Sequence, residues 1–357
     1  MPFAIRQPRF HVLDAFLIFI PLSAVFYYLN LNPIVTFIII AASIIGISHV
    51  IVETTGIIAQ RVSTTVSALI NATFGNAFEF FIAIFALRAG LVEMVKASLI
   101  GSIMVNVLLL IGLSMVVGGL KYKEQRFNKD SAGLSSTMLI IAVAGLVLPS
   151  MYSMLVENPT HAMSLAVSVV LGVTYLLGLL YTLVTHKHLF VVEREVPPTA
   201  QYRPWSLRTA VIFLLIAVGV GSFESSLLVN TITEHLADTG LSQTFVGLVV
   251  IAILTNIPEH ISALNFARKD NMTLSLEIGM SSALQIALFV IPILVLVSSS
   301  LTGTTLNLEF GPFVLASLVM TAMIANYVSS DGICHWVEGA QLIAVYILIA
   351  IAFFFRF

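Results

Sequence analysis

The sequence predicts an all-α, polytopic membrane protein of about eleven transmembrane helices, built as two inverted five-helix repeats plus an N-terminal helix. Three observations predict it. Hydrophobic residues make up 59% of the 357, charged residues only 10%, and mean hydropathy is +1.04. A soluble domain carries roughly 25% charged residues, and one of this length would leave much apolar surface in water. The apolar residues gather into runs long enough to cross a bilayer, which takes about 20 residues of helix. A polar pattern in the first half returns in the second at a constant offset.

In order, the runs centre on residues 12–31, 33–58, 67–87, 94–118, 133–155, 162–185, 207–229, 242–266, 273–299, 310–328 and 337–355. The first follows Arg6 and Arg9, as a signal peptide would. No small-residue cleavage site comes after it, so it reads as a retained helix. The second is a span despite His49 and Glu53. With the N-terminus inside, the inner segments hold 13 of the 16 Lys and Arg residues. The outer segments hold only Arg88, Lys96 and Arg356. That bias is what the positive-inside rule predicts, and a miscounted helix in the middle would scramble it.

The chain therefore divides into an N-terminal helix (1–31), a first repeat (32–185), a cytoplasmic linker (186–206) and a second repeat (207–357). The linker carries Glu193, Glu195, Pro197 and Pro198. The C-terminus falls outside. Short tails and a short central loop suit a bacterial or archaeal cytoplasmic membrane, with an organellar membrane as the alternative. The net charge of −2 offers no basic excess for nucleic acid. A lone cysteine, Cys334, forms neither an intrachain disulfide nor a zinc cluster. No His-Glu-x-x-His motif occurs, and the serine in Gly46-Ile47-Ser48-His49 lacks a protease context, so the chain reads as no enzyme and needs no cofactor.

The repeat pairs Asn76 with Asn256, Glu79 with Glu259, Arg88 with Arg268 and Ser102 with Ser282, each 180 residues apart. Glu79 falls in the third span and Glu259 in the eighth, which run in opposite directions. Inverted halves are a transporter signature, with the substrate held near the midplane where they meet.

A carboxylate inside a membrane span marks a functional candidate. Glu79 and Glu259 each have an Asn three residues earlier, on the same helix face. Facing pairs would make an oxygen cage with two formal negative charges, which suits a hard divalent cation such as Ca²⁺. No Cys or His cluster competes for a softer metal. Pro258 has no N–H for the carbonyl of Leu254 and frees it for an ion, or merely kinks the helix for packing.

Ser102, Asn106, Ser282 and Gln285 lie on the spans after the carboxylates. They supply further oxygens or join helices by hydrogen bonds. Glu53 and Glu224 occupy matching places in the two halves and relay protons, line an access path or are structural. Asp14 reads as interfacial. Asp331 and Glu338 flank a short outer loop and read as solvated caps. His49 and His260 neighbour key glutamates, as proton carriers or as packing residues.

These residues resemble those of the calcium/proton exchangers of the Ca²⁺/cation antiporter superfamily. The first signature region is similar to Asn71-Ala72-Thr73-Phe74-Gly75-Asn76-Ala77-Phe78-Glu79, continued by Gly101-Ser102 through Asn106-Val107-Leu108-Leu109. The second resembles Ser282-Ala283-Leu284-Gln285 through Pro292. The likeness spans about residues 50–357. It implies Glu79 and Glu259 as Ca²⁺ ligands, Asn76 and Asn256 in support, and backbone oxygens near Gly75 and Thr255. It also implies that the second and seventh spans slide or bend to switch access, which gives Glu53 and Glu224 a gating role. The chain departs from the family's Gly-Asn-Ala-Ala-Glu-His: Thr255 replaces the Gly and Ile257-Pro258 the two Ala, while Ser281 stands where a Gly is usual. Those changes bear on ion preference and backbone geometry.

The expected activity is secondary active antiport of Ca²⁺ against H⁺. Two glutamates brought close in a low-dielectric site resist joint ionisation, so protons and a divalent cation compete for them. Na⁺- or K⁺-coupled calcium exchange and a cation channel are the alternatives. Ca²⁺, protons and the lipid bilayer are the expected partners, with a homo-oligomer left open.

Overall fold

The computed structural model describes residues 12–156, 161–185 and 205–355. Arg6, Arg9, Arg356 and most of the 186–206 linker lie outside the described residues. The described residues fold as helices with one two-stranded ribbon. In chain order they are α1 (Leu13–Tyr28), α2 (Pro33–Ala59), α3 (Thr64–Phe74), α4 (Ala77–Arg88), α5 (Val92–Tyr122), β1 (Glu124–Arg126), α6 (Lys129–Leu155), α7 (His161–Thr185), α8 (Leu207–Thr239), α9 (Gln243–Thr255), α10 (Ile257–Ala267), α11 (Met272–Thr302), α12 (Pro312–Val328), β2 (Ile333–His335) and α13 (Trp336–Phe355).

Among the described residues, seven helices are long and apolar enough to cross a membrane: α2, α5, α6, α7, α8, α11 and α13. An eighth span forms if α9 and α10, bent by 54° at Asn256, count as one. Helices α1 and α12 are apolar but shorter, and α3 and α4 are separate pieces of the predicted third span.

Starts and stops follow local chemistry. The Asn32 side-chain oxygen Oδ1 caps α2 by accepting from the N–H groups of Ile34 (3.0 Å) and Val35 (3.2 Å), with Pro33 in the first turn where no N–H is needed. Ser206 caps α8 by accepting from Thr209 at 3.1 Å. Gly240 closes α8 at φ 68°, a backbone state that favours glycine.

Helices α5, α11 and α2 form the interior, and α7 is the most peripheral long span: 78% of the most apolar stretch of α5 is buried against 22% for α7. The exposed face of α7 is Val169, Val170, Val173, Leu176, Leu177 and Leu180, an apolar surface suited to acyl chains. Close approach at the centre depends on missing side chains. A Cβ on Gly101 of α5 would overlap the backbone of Leu248 in α9, and one on Gly247 would overlap the carbonyl of Met94. Small residues let membrane helices pack backbone to backbone in this way.

Hydrogen bonds sort the loops into two ends. At one end β1 pairs antiparallel with β2, Gln125 donates to the carbonyl of Ala267 (3.0 Å), and the Tyr122 hydroxyl donates to that of Arg268 (3.0 Å). At the other, Arg88 donates to Leu301 (3.0 Å), Lys96 to the Glu309 carbonyl (2.8 Å), and the N–H of Leu308 to Ser164 (3.0 Å). Helix α5 therefore runs from the second end to the first, and α11 from the first to the second.

This arrangement corrects the outer-loop expectation for Asp331 and Glu338. Their loop carries β2 and sits with Lys121, Arg126 and Arg268, at the cationic end. The capping role holds for Glu338, which accepts from the N–H of His335 (2.9 Å) just before α13; Asp331 instead accepts from the N–H of Ile333 (3.1 Å) in the turn that enters β2. Between them, burial pushes the Cys334 thiol up to about 12, and the nearby Glu338, Asp331 and Asp270 carboxylates add to the shift. Thiolate is the reactive form, so Cys334 should label with maleimide at pH 8 far more slowly than an exposed cysteine, by about a hundredfold. Labelling at the rate of an engineered surface cysteine would contradict this packing.

Candidate ion-binding site

The predicted third and eighth spans are broken, and the breaks build the site. Helix α3 ends at Phe74 and α4 starts at Ala77; α9 ends at Thr255 and α10 starts at Ile257. Asn76 (φ −108°, ψ 29°) and Asn256 (φ −97°, ψ 7°) leave helical geometry at the two breaks. The N–H of Gly75 closes α3 onto the Asn71 carbonyl (2.8 Å), and that of Asn256 reaches Ile253 (3.2 Å). Pro258 lies in the first turn of α10, where its missing N–H is harmless, directly after the 54° bend at Asn256, so the kink expected near it is present. Each Asn therefore sits at a helix junction, and the expectation of one continuous helix face carrying Asn and Glu is corrected.

Glu79 and Glu259 fall in the first turns of α4 and α10. The free N–H groups and the positive end of the helix dipole lie at such turns, a favourable place for a carboxylate. Glu79 is buried and Glu259 half-buried. The two side chains are near enough for their charges to interact, and the Glu79 carboxylate takes the Thr255 hydroxyl as a hydrogen-bond partner across the halves. The second carboxylate oxygen of Glu259 (Oε2), Oδ1 of Asn106 and Nε2 of His260 are buried with no partner. A buried acceptor without a donor is costly, and a cation or a proton is what relieves it. The donor set of carboxylate and amide oxygens fits a hard divalent ion.

Polar side chains on α5 and α11 brace this centre. The Asn76 amide donates to Gln285 Oε1 at 2.7 Å, and at the equivalent place in the other half Asn106 donates to Asn256 Oδ1 at 2.6 Å. Asn106 also donates to Ser282 Oγ (3.0 Å), and the Asn256 amide to Ser102 Oγ (3.0 Å) and to the Ala252 carbonyl (2.8 Å). The amide oxygen of Asn256 is thus engaged by Asn106. π-helical turns occur here in both halves, at Val105–Leu110 in α5 and Ile286–Val290 in α11. Such turns concentrate at functional sites because they re-aim side chains within a helix.

Replacing Asn106 with Leu leaves Asn256 and Ser282 without that donor. An unsatisfied buried group costs about 1–3 kcal/mol. Transport by Asn106→Leu should fall roughly ten- to hundredfold with folded yield retained. Wild-type flux in that variant would remove Asn106 from the site.

Glu53 and Glu224 bond elsewhere. Glu224 is fully buried and accepts from Ser23 of α1 (2.7 Å) and Ser43 of α2 (2.6 Å). Glu53 lies beside His49 and Asp14, all three buried within the protein. His260 places Nδ1 2.7 Å from the Asn256 carbonyl oxygen. Neither the Asn106 hub, the π-helical turns nor the Asp14 contact is legible from hydropathy. The signal that was available is the polar residue in an apolar run.

A family profile described as sodium/calcium exchanger protein matches residues 32–184 and 209–355. A Ca²⁺/H⁺ antiporter of Aphanothece halophytica is 36% identical over 95% of each chain. The Ca²⁺/H⁺ antiporter ChaA of Bacillus subtilis is 36% identical over 94% of this chain and 96% of its own. The solved structure of native YfkE superposes with a TM-score of 0.82 at 33% identity, covering 96% of this chain and 98% of that one. A solved H⁺/Ca²⁺ exchanger, CAX, shares the fold with a TM-score of 0.76 at 15% identity.

Proposed function

The chain belongs to the Ca²⁺/H⁺ antiporters of the sodium/calcium exchanger protein family, and from that premise we propose an alternating-access exchanger whose single central site serves both ions. It is an integral membrane transporter and not an enzyme. Ca²⁺ and H⁺ are its substrates, drawn through Glu79 and Glu259.

The observation that carries this reading is the pair of carboxylates at the starts of α4 and α10, each at a helix break and close to the other. Asn76 and Asn256, with backbone oxygens near Gly75 and Thr255, complete the cage. Helix breaks free carbonyls for cations, and inverted halves put such breaks face to face at the midplane. Ser102, Asn106, Ser282 and Gln285 hold the geometry. A divalent cation displaces protons from the carboxylates. Protons arriving from the other side displace the cation. Access switches only when the charge is neutralised, because two bare carboxylates in a closed low-dielectric site are strongly disfavoured.

The halves are residues 32–185 and 207–357, preceded by the helix in 1–31 and joined through 186–206. Eleven crossings result once α3 with α4, α9 with α10, α1 and α12 are each taken as a span. The opposite runs of α5 and α11 and the sorting of cationic loops to one end support inverted halves with the N-terminus inside and the C-terminus outside. A prokaryotic cytoplasmic membrane fits the short loops. Glu53 on α2 and Glu224 on α8 stand on the helices that switch access. The serine contacts of Glu224, which tie α8 to α1 and α2, support a gating role for it.

Proteoliposomes with separately imposed gradients test the coupling. Ca²⁺ accumulation should follow a pH difference and not a Na⁺ or K⁺ gradient. Uptake driven by Na⁺ or K⁺ would make the protein a differently coupled exchanger, and flux indifferent to every counter-ion would make it a channel.

A further inference from the structure

We propose that Asp14, His49 and Glu53 form a second divalent-cation site, separate from the transport site, for a transition ion of the Zn²⁺ type that fastens α1 to α2. The three side chains are buried, and each presents a ligand atom within 4.8 Å of the other two. Asp14 Oδ1 lies 3.9 Å from His49 Nε2, too far for a direct hydrogen bond. Two ligands of one zinc ion, each about 2.0–2.2 Å from it, stand roughly 3.4 Å apart in tetrahedral geometry. Closing the trio onto an ion therefore takes side-chain movements of about an ångström.

The scaffold already holds the ligands in register. His49 and Glu53 are four residues apart on one face of α2. Opposite them, α1 touches α2 backbone to backbone: a Cβ on Gly46 would lie 2.9 Å from the carbonyl carbon of Phe16 and 3.0 Å from the nitrogen of Leu17. Asp14 is thereby held beside His49. One imidazole nitrogen and two carboxylate oxygens suit Zn²⁺ better than Ca²⁺, which prefers an all-oxygen shell. Three protein ligands leave the fourth position to water.

The ion would pin α2 to α1. Because Ser23 of α1 also holds Glu224 of α8, it would restrain both helices assigned to gating. Zn²⁺ is then an inhibitor acting away from the transported Ca²⁺.

The test uses the full chain, purified without a histidine tag, carrying Glu79→Gln and Glu259→Gln so that the transport site is removed. Calorimetry should find saturable Zn²⁺ binding near one equivalent. Adding His49→Gln or Asp14→Asn should weaken it by about a hundredfold or more. Glu53→Gln serves as the second carboxylate variant if Asp14→Asn fails to fold. In the otherwise unaltered exchanger, Zn²⁺ should slow Ca²⁺ flux, and His49→Gln should relieve that inhibition. No saturable Zn²⁺ binding in the transport-site variant would overturn the proposal. Unchanged affinity in the His49 and carboxylate variants would overturn it as well.

Discussion

Glu79→Gln and Glu259→Gln should each reduce pH-driven Ca²⁺ uptake to the level of protein-free liposomes, a loss of roughly a hundredfold or more. Glutamine keeps the shape and one oxygen but neither the charge nor the titration. Removing one unit charge about 4 Å from another is worth on the order of 4 kcal/mol at an effective dielectric of 20, and a divalent ion feels it twice. The same substitution removes a proton carrier, so neither half of the cycle survives. Both variants should be extracted in folded form, because a neutral amide in place of a buried carboxylate lowers the desolvation cost. Asymmetry between them is informative. Glu79 has the Thr255 hydroxyl as a partner, whereas the Oε2 atom of Glu259 has none. Normal uptake in either variant would remove the central role given to the pair.

Gly101→Val should prevent accumulation of folded protein. The added side chain meets the backbone of Leu248, which cannot rotate away as a flexible side chain would. Helices α5 and α9 must then separate, and the Asn256–Ser102 bond that crosses the same contact is lost with them. Overpacking at a rigid contact costs about 1–3 kcal/mol even when neighbours yield, and more when they cannot. Gly172→Ala is the matched control, since nothing lies within 4 Å of its added Cβ. Size-exclusion chromatography in detergent should show aggregate for the first and a monodisperse peak for the second. Equal profiles would mean that the close approach of α5 and α9 is not needed for the fold.

Much of the architecture was legible because lipid imposes one rule: backbone polar groups must be satisfied within the helix. Apolar runs of sufficient length therefore locate α2, α5, α6, α7, α8, α11 and α13. The opposed pairing of Glu79 with Glu259 was legible from the constant offset of the polar residues. The break at Asn256 was legible only as a kink near Pro258, and the break at Gly75-Asn76 was not legible, because hydropathy is continuous through both. The amides of Asn76 and Asn256 bond to residues 209 and 150 positions away, Gln285 and Asn106, and no local pattern announces such partners. Asp14 lies near the start of an apolar run, and its neighbours in the fold were not legible there: the close contact of Gly46 with Phe16 and Leu17 brings α2 beside it. The loop of Asp331 was misplaced because the β1–β2 pairing that fixes its end of the molecule joins segments some 200 residues apart, beyond the reach of local sequence.

Competition between Ca²⁺ and protons for one carboxylate pair is tested most directly by proton release on binding. Ca²⁺ is added to the purified protein in weakly buffered detergent solution, and the pH is followed with an indicator dye. The wild-type protein should release protons in proportion to Ca²⁺ bound, more at lower starting pH where the pair carries more of them, and the Glu79→Gln/Glu259→Gln double variant should release none. Saturable Ca²⁺ binding by the wild type with no proton release, or undiminished release by the double variant, would contradict a shared site.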